Sequence, residues 1–183
     1  MSESAEAVAA NASSRRNVTI EITNLTTNYC LINPEVYLDK GSTLIPPQPT
    51  VRPLKVEMCN FSKDSGKASG AVGVLCYDLF EKNRQDYFEK VAIMFSVPYD
   101  RNMYKNWLAV GIYKKEKECN EALFKEMYYD KDPKGFVRQE CNGSGITYEG
   151  SYLDIKATMS PLGRCILKVE IWEKLFSSPS SKH

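Results

Sequence analysis

Along most of the chain apolar residues alternate with polar ones, the period of strands that bury one face. Val18, Ile20 and Ile22 open the series, and Asn24 to Asn28 predicts a turn. Cys30 to Leu38 predicts a second strand, irregular or at a sheet edge because it carries Pro34. The stretch from Gly41 to Pro53 holds Pro46, Pro47, Pro49 and Pro53, too many for a regular element. Leu54 to Phe61 alternates again, and Asp64 to Gly70 reads as a loop. Ala71 to Phe80 and Lys90 to Val97 are nearly continuous apolar runs, as core strands should be, with a charged loop from Glu81 to Asp86 between them. Trp107 to Tyr113 follows with Leu108, Val110 and Ile112 on one face. Two further strands are read from Leu153, Ile155 and Ala157, and from Cys165, Leu167, Val169 and Ile171.

The period changes once inside this series. Between Glu116 and Tyr129 the apolar positions Cys119, Ala122, Leu123 and Met127 recur at helical spacing, with Lys125 and Glu126 on the other face. Many short strands and one internal helix predict a mainly β protein, a β-sandwich with a helix packed outside. With no internal repeat and no second composition regime, residues 15–175 form a single domain, preceded by an Ala-rich segment 1–14 and followed by a disordered tail 176–183.

Composition narrows the function. The 183 residues are 43% hydrophobic and 26% charged, with a net charge of +1, so no strong field recruits nucleic acid. The sole histidine is the last residue, His183, which leaves nothing for a His-ligated metal centre or a Ser–His or Cys–His catalytic pair. Asp78, Asp100 and Asp154, the carboxylates that could tempt an enzymatic reading, sit on unrelated elements. No cofactor is expected. The N-terminal ten residues carry two acids and no unbroken apolar run, so no secretory signal is read and the chain is expected to be soluble as synthesised, in the cytoplasm. In that compartment Cys30, Cys59, Cys76, Cys119, Cys141 and Cys165 are expected as free thiols, and the sequons at Asn17, Asn24, Asn60 and Asn142 as unglycosylated.

The informative stretch is Phe95-Ser-Val-Pro-Tyr-Asp-Arg-Asn-Met-Tyr-Lys-Asn-Trp107. A core strand ends at Val97, and Tyr99, Met103, Tyr104 and Trp107 then crowd a loop where small polar residues would be ordinary. A second group, Phe124, Tyr128 and Tyr129, ends the helix. Such rings either cap the sandwich core or form a platform for a membrane interface, where Tyr and Trp place an apolar body and a wet tip. A cage of Tyr faces also attracts a quaternary ammonium such as choline, by about 0.5–2 kcal/mol per contact. The residue types alone leave both readings open.

Four segments taken in order, Gly70-Ala-Val-Gly-Val-Leu75, Phe95-Ser-Val-Pro-Tyr-Asp100, Asn102-x-Tyr104-x-Asn106-Trp107 and Glu126-Met-Tyr-Tyr129, resemble the sea anemone actinoporins over Arg15 to Trp172. That resemblance implies a β-sandwich flanked by two α-helices, a fold also similar to that of fungal fruit-body lectins. It implies a membrane-binding, pore-forming cytolysin, monomeric in solution and a homo-oligomer on membranes. It also implies a phosphocholine site, sphingomyelin by preference, matched here by Val72, Ser96, Pro98, Tyr104, Tyr128 and Tyr129. Membrane contacts are implied at Arg16, Met103, Trp107 and Phe124, with Arg16 against lipid phosphate.

The chain departs from the family pattern in places. Met103 stands where a second tryptophan is usual, Phe124 replaces a pocket tyrosine, and Lys40 falls about where a pocket serine is expected. Residues 1–14 are the candidate membrane-inserting helix. Fourteen helical residues span only about 21 Å against a hydrocarbon core of roughly 30 Å, and alanine buries little area. An intracellular lectin-like or lipid-binding module that has lost lysis is therefore the alternative.

Overall fold

The computed structural model describes residues 4–11 and 14–174; the expected disordered tail lies outside them. In chain order the elements are α1 (Ala5–Asn11), β1 (Asn17–Leu25), β2 (Tyr29–Lys40), β3 (Ser42–Ile45), β4 (Thr50–Val51), β5 (Val56–Ser62) and β6 (Ala71–Glu81). They continue as β7 (Asp86–Val97), β8 (Trp107–Lys114), α2 (Glu121–Tyr129), β9 (Phe136–Glu140), β10 (Ile146–Glu149), β11 (Leu153–Met159) and β12 (Arg164–Glu173).

The strands form two six-stranded sheets, one in the order β10-β11-β12-β1-β5-β3 and the other β4-β2-β6-β7-β8-β9. The sole parallel pairing among the described residues joins β1 to β12; every other neighbour is antiparallel. Alternation supplies the core directly: Val18, Ile20 and Ile22 of β1 meet Leu75, Ile93, Phe95 and Val110 of the facing sheet. Phe61 and Phe95 stack across the two layers, ring centroids 5.1 Å apart, an arrangement worth about 0.5–1.5 kcal/mol beyond its buried area.

Each sheet carries a helix on its outer face, so the sandwich is flanked by two helices. The second sheet presents Val74, Met94 and Ala109 to Leu123, Phe124 and Met127 of α2. Asn120 starts that helix by accepting the Leu123 N–H at 3.0 Å, which is why it begins five residues later than the periodicity suggested. At the other end Arg138 of β9 donates to the Met127 carbonyl at 3.0 Å and the Asp130 carbonyl at 2.6 Å, satisfying the last turn.

Helix α1 lies on the outer face of the first sheet, against β1, β12 and β5. Its buried residues are Ala5, Val8 and Ala9, and Glu6 pairs with Lys168 at 3.0 Å. The face it covers is polar: Asn17, Thr19, Asn60 and Ser62 are buried and bond one another, Asn60 Nδ2 donating to Thr19 Oγ1 at 2.9 Å and Ser62 Oγ to Asn60 Oδ1 at 3.0 Å.

Several local expectations need correction. The turn read at Asn24 to Asn28 starts later, because Asn24 stays in β1 with its amide buried, donating to the Tyr29 and Val51 carbonyls. The proline-rich stretch contains β3 and β4, which pair with β5 and β2 between the prolines. Strands β9 and β10 had no counterpart in the pattern. Pro34 does make β2 irregular: the register with β6 shifts between Ile32 and Glu35, and Asn33 takes a φ of 51°.

All six cysteines are free, with Cys59, Cys76, Cys141 and Cys165 buried. Burial pushes the Cys59 and Cys165 thiols up to about 12. Cys76 is raised by its hydrogen bond with Cys119 and by burial, and the same hydrogen bond draws Cys119 below the usual thiol value. Cys119 and Cys30 are the two that are not fully buried, so iodoacetamide at pH 8 is expected to modify these two in the folded protein. The other four should react only after denaturation, as mass spectrometry of the intact protein would show.

Candidate functional site

The outer face of the second sheet ends in a row of paired residues crossing four strands: Lys40 opposite Val72, Val72 opposite Ser96, and Ser96 opposite Trp107. Partners in register point to the same side of a sheet, so the row forms one floor. Simple alternation after Leu38, which packs toward the core, would aim Lys40 inward as well. A register shift between Leu38 and Lys40 leaves Asp39 as the extra residue and turns Lys40 to the same side as Val72. Gly70 makes the corner possible, since a Cβ there would lie 2.0 Å from the Val97 carbonyl oxygen.

Above this floor is a cavity of 330 Å³. It brings together all six residues matched by motif, Val72, Ser96, Pro98, Tyr104, Tyr128 and Tyr129. Asp39, Lys40 and Tyr99 also line it. The C-terminal turn of α2 supplies one wall, with the Tyr128 and Tyr129 rings edge-to-face at 4.6 Å and Phe124 to Tyr128 at 5.6 Å. The loop after β7 supplies the other. There Asp100 Oδ1 accepts the N–H groups of Asn102 (3.0 Å) and Met103 (3.2 Å), and the Tyr104 N–H bonds the Asp100 carbonyl at 3.0 Å.

The pocket is an open, ring-lined hollow with two carboxylates, Asp39 and Asp100, and one ammonium, Lys40, in its lining. Ser96 is buried, its hydroxyl beside Tyr128. Burial raises the Tyr128 phenol, followed by the charges of Tyr129, Tyr104 and Asp39, while the hydrogen bond with Ser96 opposes the rise; the group remains an O–H donor at neutral pH. Aromatic faces with an acid nearby suit a bulky cation, and hydroxyl donors suit the anion attached to it. No group of three or more metal-ligating side chains exists among the described residues.

Around the mouth Met103 (71% exposed), Tyr104 (58%) and Tyr129 (65%) present apolar surface to solvent. Leu162 is exposed as well, on a loop that Asn106 holds. The Asn106 amide donates to the Ser160 and Leu162 carbonyls, both at 3.0 Å, and its Oδ1 accepts from Arg101. Phe124 must be corrected as a membrane contact. It is 3% exposed, pressed onto the sheet by the helix, and reaches the site only as part of the pocket lining. Trp107 opens β8 and is half-buried against the cluster under α2. Arg16 lies outside the pocket, beyond Tyr99, with its Nε donating to the Tyr99 carbonyl at 3.0 Å.

Sequence reasoning missed Asp39, Asn106 and Arg138. Asn106 was in the quoted motif, and a buried amide between two strands was the available signal. Asp39 depends on a register shift that no pattern announces. The tempting carboxylates are structurally engaged: Asp78 faces Lys90 at 3.9 Å, Asp154 faces Lys174 at 3.3 Å, and Asp100 holds its turn.

A family model described as sea anemone cytotoxic protein matches residues 8–173. DELTA-actitoxin-Aeq1a of Actinia equina is 36% identical over 118 residues, 64% of this chain and 50% of that protein. DELTA-actitoxin-Ucs1a of Urticina crassicornis is 32% identical over 136 residues, 74% of this chain and 57% of that protein. The chain thus matches little more than half the length of these relatives. Among solved structures, the lipid binding protein Nakanori superposes with a TM-score of 0.71 at 10% identity, covering 92% of this chain and 77% of that one, a likeness of fold.

Asn106→Ala removes three hydrogen bonds made by a buried side chain and unpairs the partly buried groups that share them. It is expected to destabilise the protein by about 2–4 kcal/mol in urea unfolding and to unpin the loop carrying Met103 and Tyr104.

Proposed function

The chain belongs to the sea anemone cytotoxic protein family, and on that premise we propose that it is a membrane-binding, pore-forming cytolysin-like protein that recognises phosphocholine headgroups at the ring-lined pocket. One observation carries the reading: six residues from four separate segments, picked out by motif, line a single 330 Å³ hollow.

In this reading the trimethylammonium sits between Tyr104, Tyr128 and Tyr129, whose ring faces attract it, with Asp39 adding charge at the rim. The phosphate takes the Ser96 and Tyr128 hydroxyls, with Lys40 within reach of its oxygens. Lys40 favours the phosphate end of the headgroup and Asp39 the choline end, so the pair sets a direction of entry. Met103, Tyr104 and Tyr129 enter the interface around the bound head, and Arg16 lies at the edge of that contact. Sphingomyelin is the preferred target. The protein is monomeric in solution, oligomerises on the membrane through the sandwich body, and opens cation-permeable pores with segment 1–14 as the inserting element.

The alternative, binding without lysis, draws support from α1. Its buried contacts are two alanines and a valine, so transfer of this helix into lipid gains little.

Calcein release from phosphatidylcholine vesicles with and without sphingomyelin separates the two. Release that depends on sphingomyelin supports the cytolysin, binding without release the non-lytic module, and no binding overturns the pocket. Tyr104→Ala is expected to weaken vesicle binding roughly two- to thirty-fold, the loss of one cation–π contact.

A further inference from the structure

On the far side of Tyr99 and Asp100 lies a second, larger cavity of 710 Å³. Four cations line it: Arg15, Arg16, Lys63 and Arg101. They converge from three distant stretches, the approach to β1, the residue after β5 and the loop after β7. Like charges brought together repel unless a counter-charge is present.

No ion pair supplies that counter-charge to the four. Among the described residues, the ion pairs include none of the four. Their hydrogen bonds go to neutral oxygens instead. Arg16 donates to the Tyr99 and Arg15 carbonyls, both at 3.0 Å, and Lys63 to the Asp64 (3.0 Å) and Lys67 (2.9 Å) carbonyls. Arg101 donates to Asn106 Oδ1 at 2.5 Å and to the Pro161 carbonyl. These contacts orient the cationic heads without neutralising them. Asp100 is the one carboxylate in the lining, and its Oδ1 is occupied by the Asn102 and Met103 N–H groups.

The crowding is close. Arg16 and Lys63 both lie over the Tyr99 ring, 5.8 and 5.9 Å from its centroid. Arg16 and Arg101 meet over Gly163, where a Cβ would fall 2.7 Å from Arg16 Nη1 and 3.5 Å from Arg101 Cδ. A residue without a side chain gives two guanidinium stems room side by side.

We propose that this cavity binds a phosphomonoester dianion, either the headgroup of an acidic lipid or free phosphate, through Arg15, Arg16, Lys63 and Arg101. Such a group carries close to two negative charges at neutral pH and accepts several charge-assisted hydrogen bonds, matching four cations set against one acid. A zwitterionic phosphodiester supplies only one negative charge and brings a cation with it. The site goes beyond the phosphocholine reading and does not depend on it, although the two cavities share the Tyr99–Asp100 wall.

The test is calorimetric titration with inorganic phosphate in buffer of roughly 20 mM ionic strength, where screening is weak. In parallel, co-sedimentation uses phosphatidylcholine vesicles with and without about one-tenth phosphatidic acid. The full chain is compared with R15Q/K63Q, with the charge-retaining R15K/K63R, and with K131Q/K134Q, which removes the same charge elsewhere. R15Q/K63Q is expected to lose about ten-fold in affinity, R15K/K63R to recover most of it, and K131Q/K134Q to bind as the parent does. Binding to free phosphate assigns a soluble source, and binding confined to phosphatidic acid vesicles assigns a lipid; either supports the site. It is overturned if the parent binds neither probe, if R15Q/K63Q binds undiminished, or if K131Q/K134Q loses as much.

Discussion

A single dipeptide ties the interior to the site. In β7 the pleat sends Phe95 into the sandwich, stacked on Phe61, and Ser96 to the opposite face, between Val72 and Trp107. Because strand side chains alternate strictly, a slip of one residue would put the serine in the core and the ring in the pocket. The packing that fixes the register of β7 therefore also fixes where the pocket floor lies. The rest of the site is built outward from that row: Lys40 and Asp39 through a bulge at one end, Tyr128 and Tyr129 through a helix docked just above it.

The helix is held to that floor from both sides. Leu123, Phe124 and Met127 anchor it to the sheet by apolar burial, while Asn120 and Arg138 satisfy its two ends. This explains a misreading at Phe124. The stripe of Cys119, Ala122, Leu123 and Met127 left it out, but α2 buries Leu123, Phe124 and Met127 together against the sheet, and the ring supports its tyrosine neighbour. Ala122, assigned to the stripe, is exposed instead.

Where the sequence was legible, one physical rule was acting alone. Val18 to Ile22 and Cys165 to Ile171 are strands because nothing competes with alternation there, and Ala71 to Phe80 because an unbroken apolar run of that length suits a strand buried on both faces. The reading failed where pairing depends on a distant partner. Ser42–Ile45 lies beside prolines and is a strand because β5 offers it an edge; Asp39 enters the pocket because of a bulge against β6; Phe136–Glu140 pairs with β8 despite little apolar content. The pocket residues came from motif order rather than from period, since aromatic content alone cannot distinguish a capped core from a binding hollow. The cluster of Arg15, Lys63 and Arg101 is invisible in sequence, its members being separated by dozens of residues in a chain of almost zero net charge.

The polar floor under α1 has a consequence for what happens if that helix lifts. Asn17, Thr19, Asn60 and Ser62 already satisfy much of one another's bonding, so the uncovered face would take up a hydration shell at small cost. Most sandwich faces stripped of a helix become sticky and drive precipitation. This one is largely polar, so lifting the helix would bring less apolar surface into water than an ordinary sandwich face does.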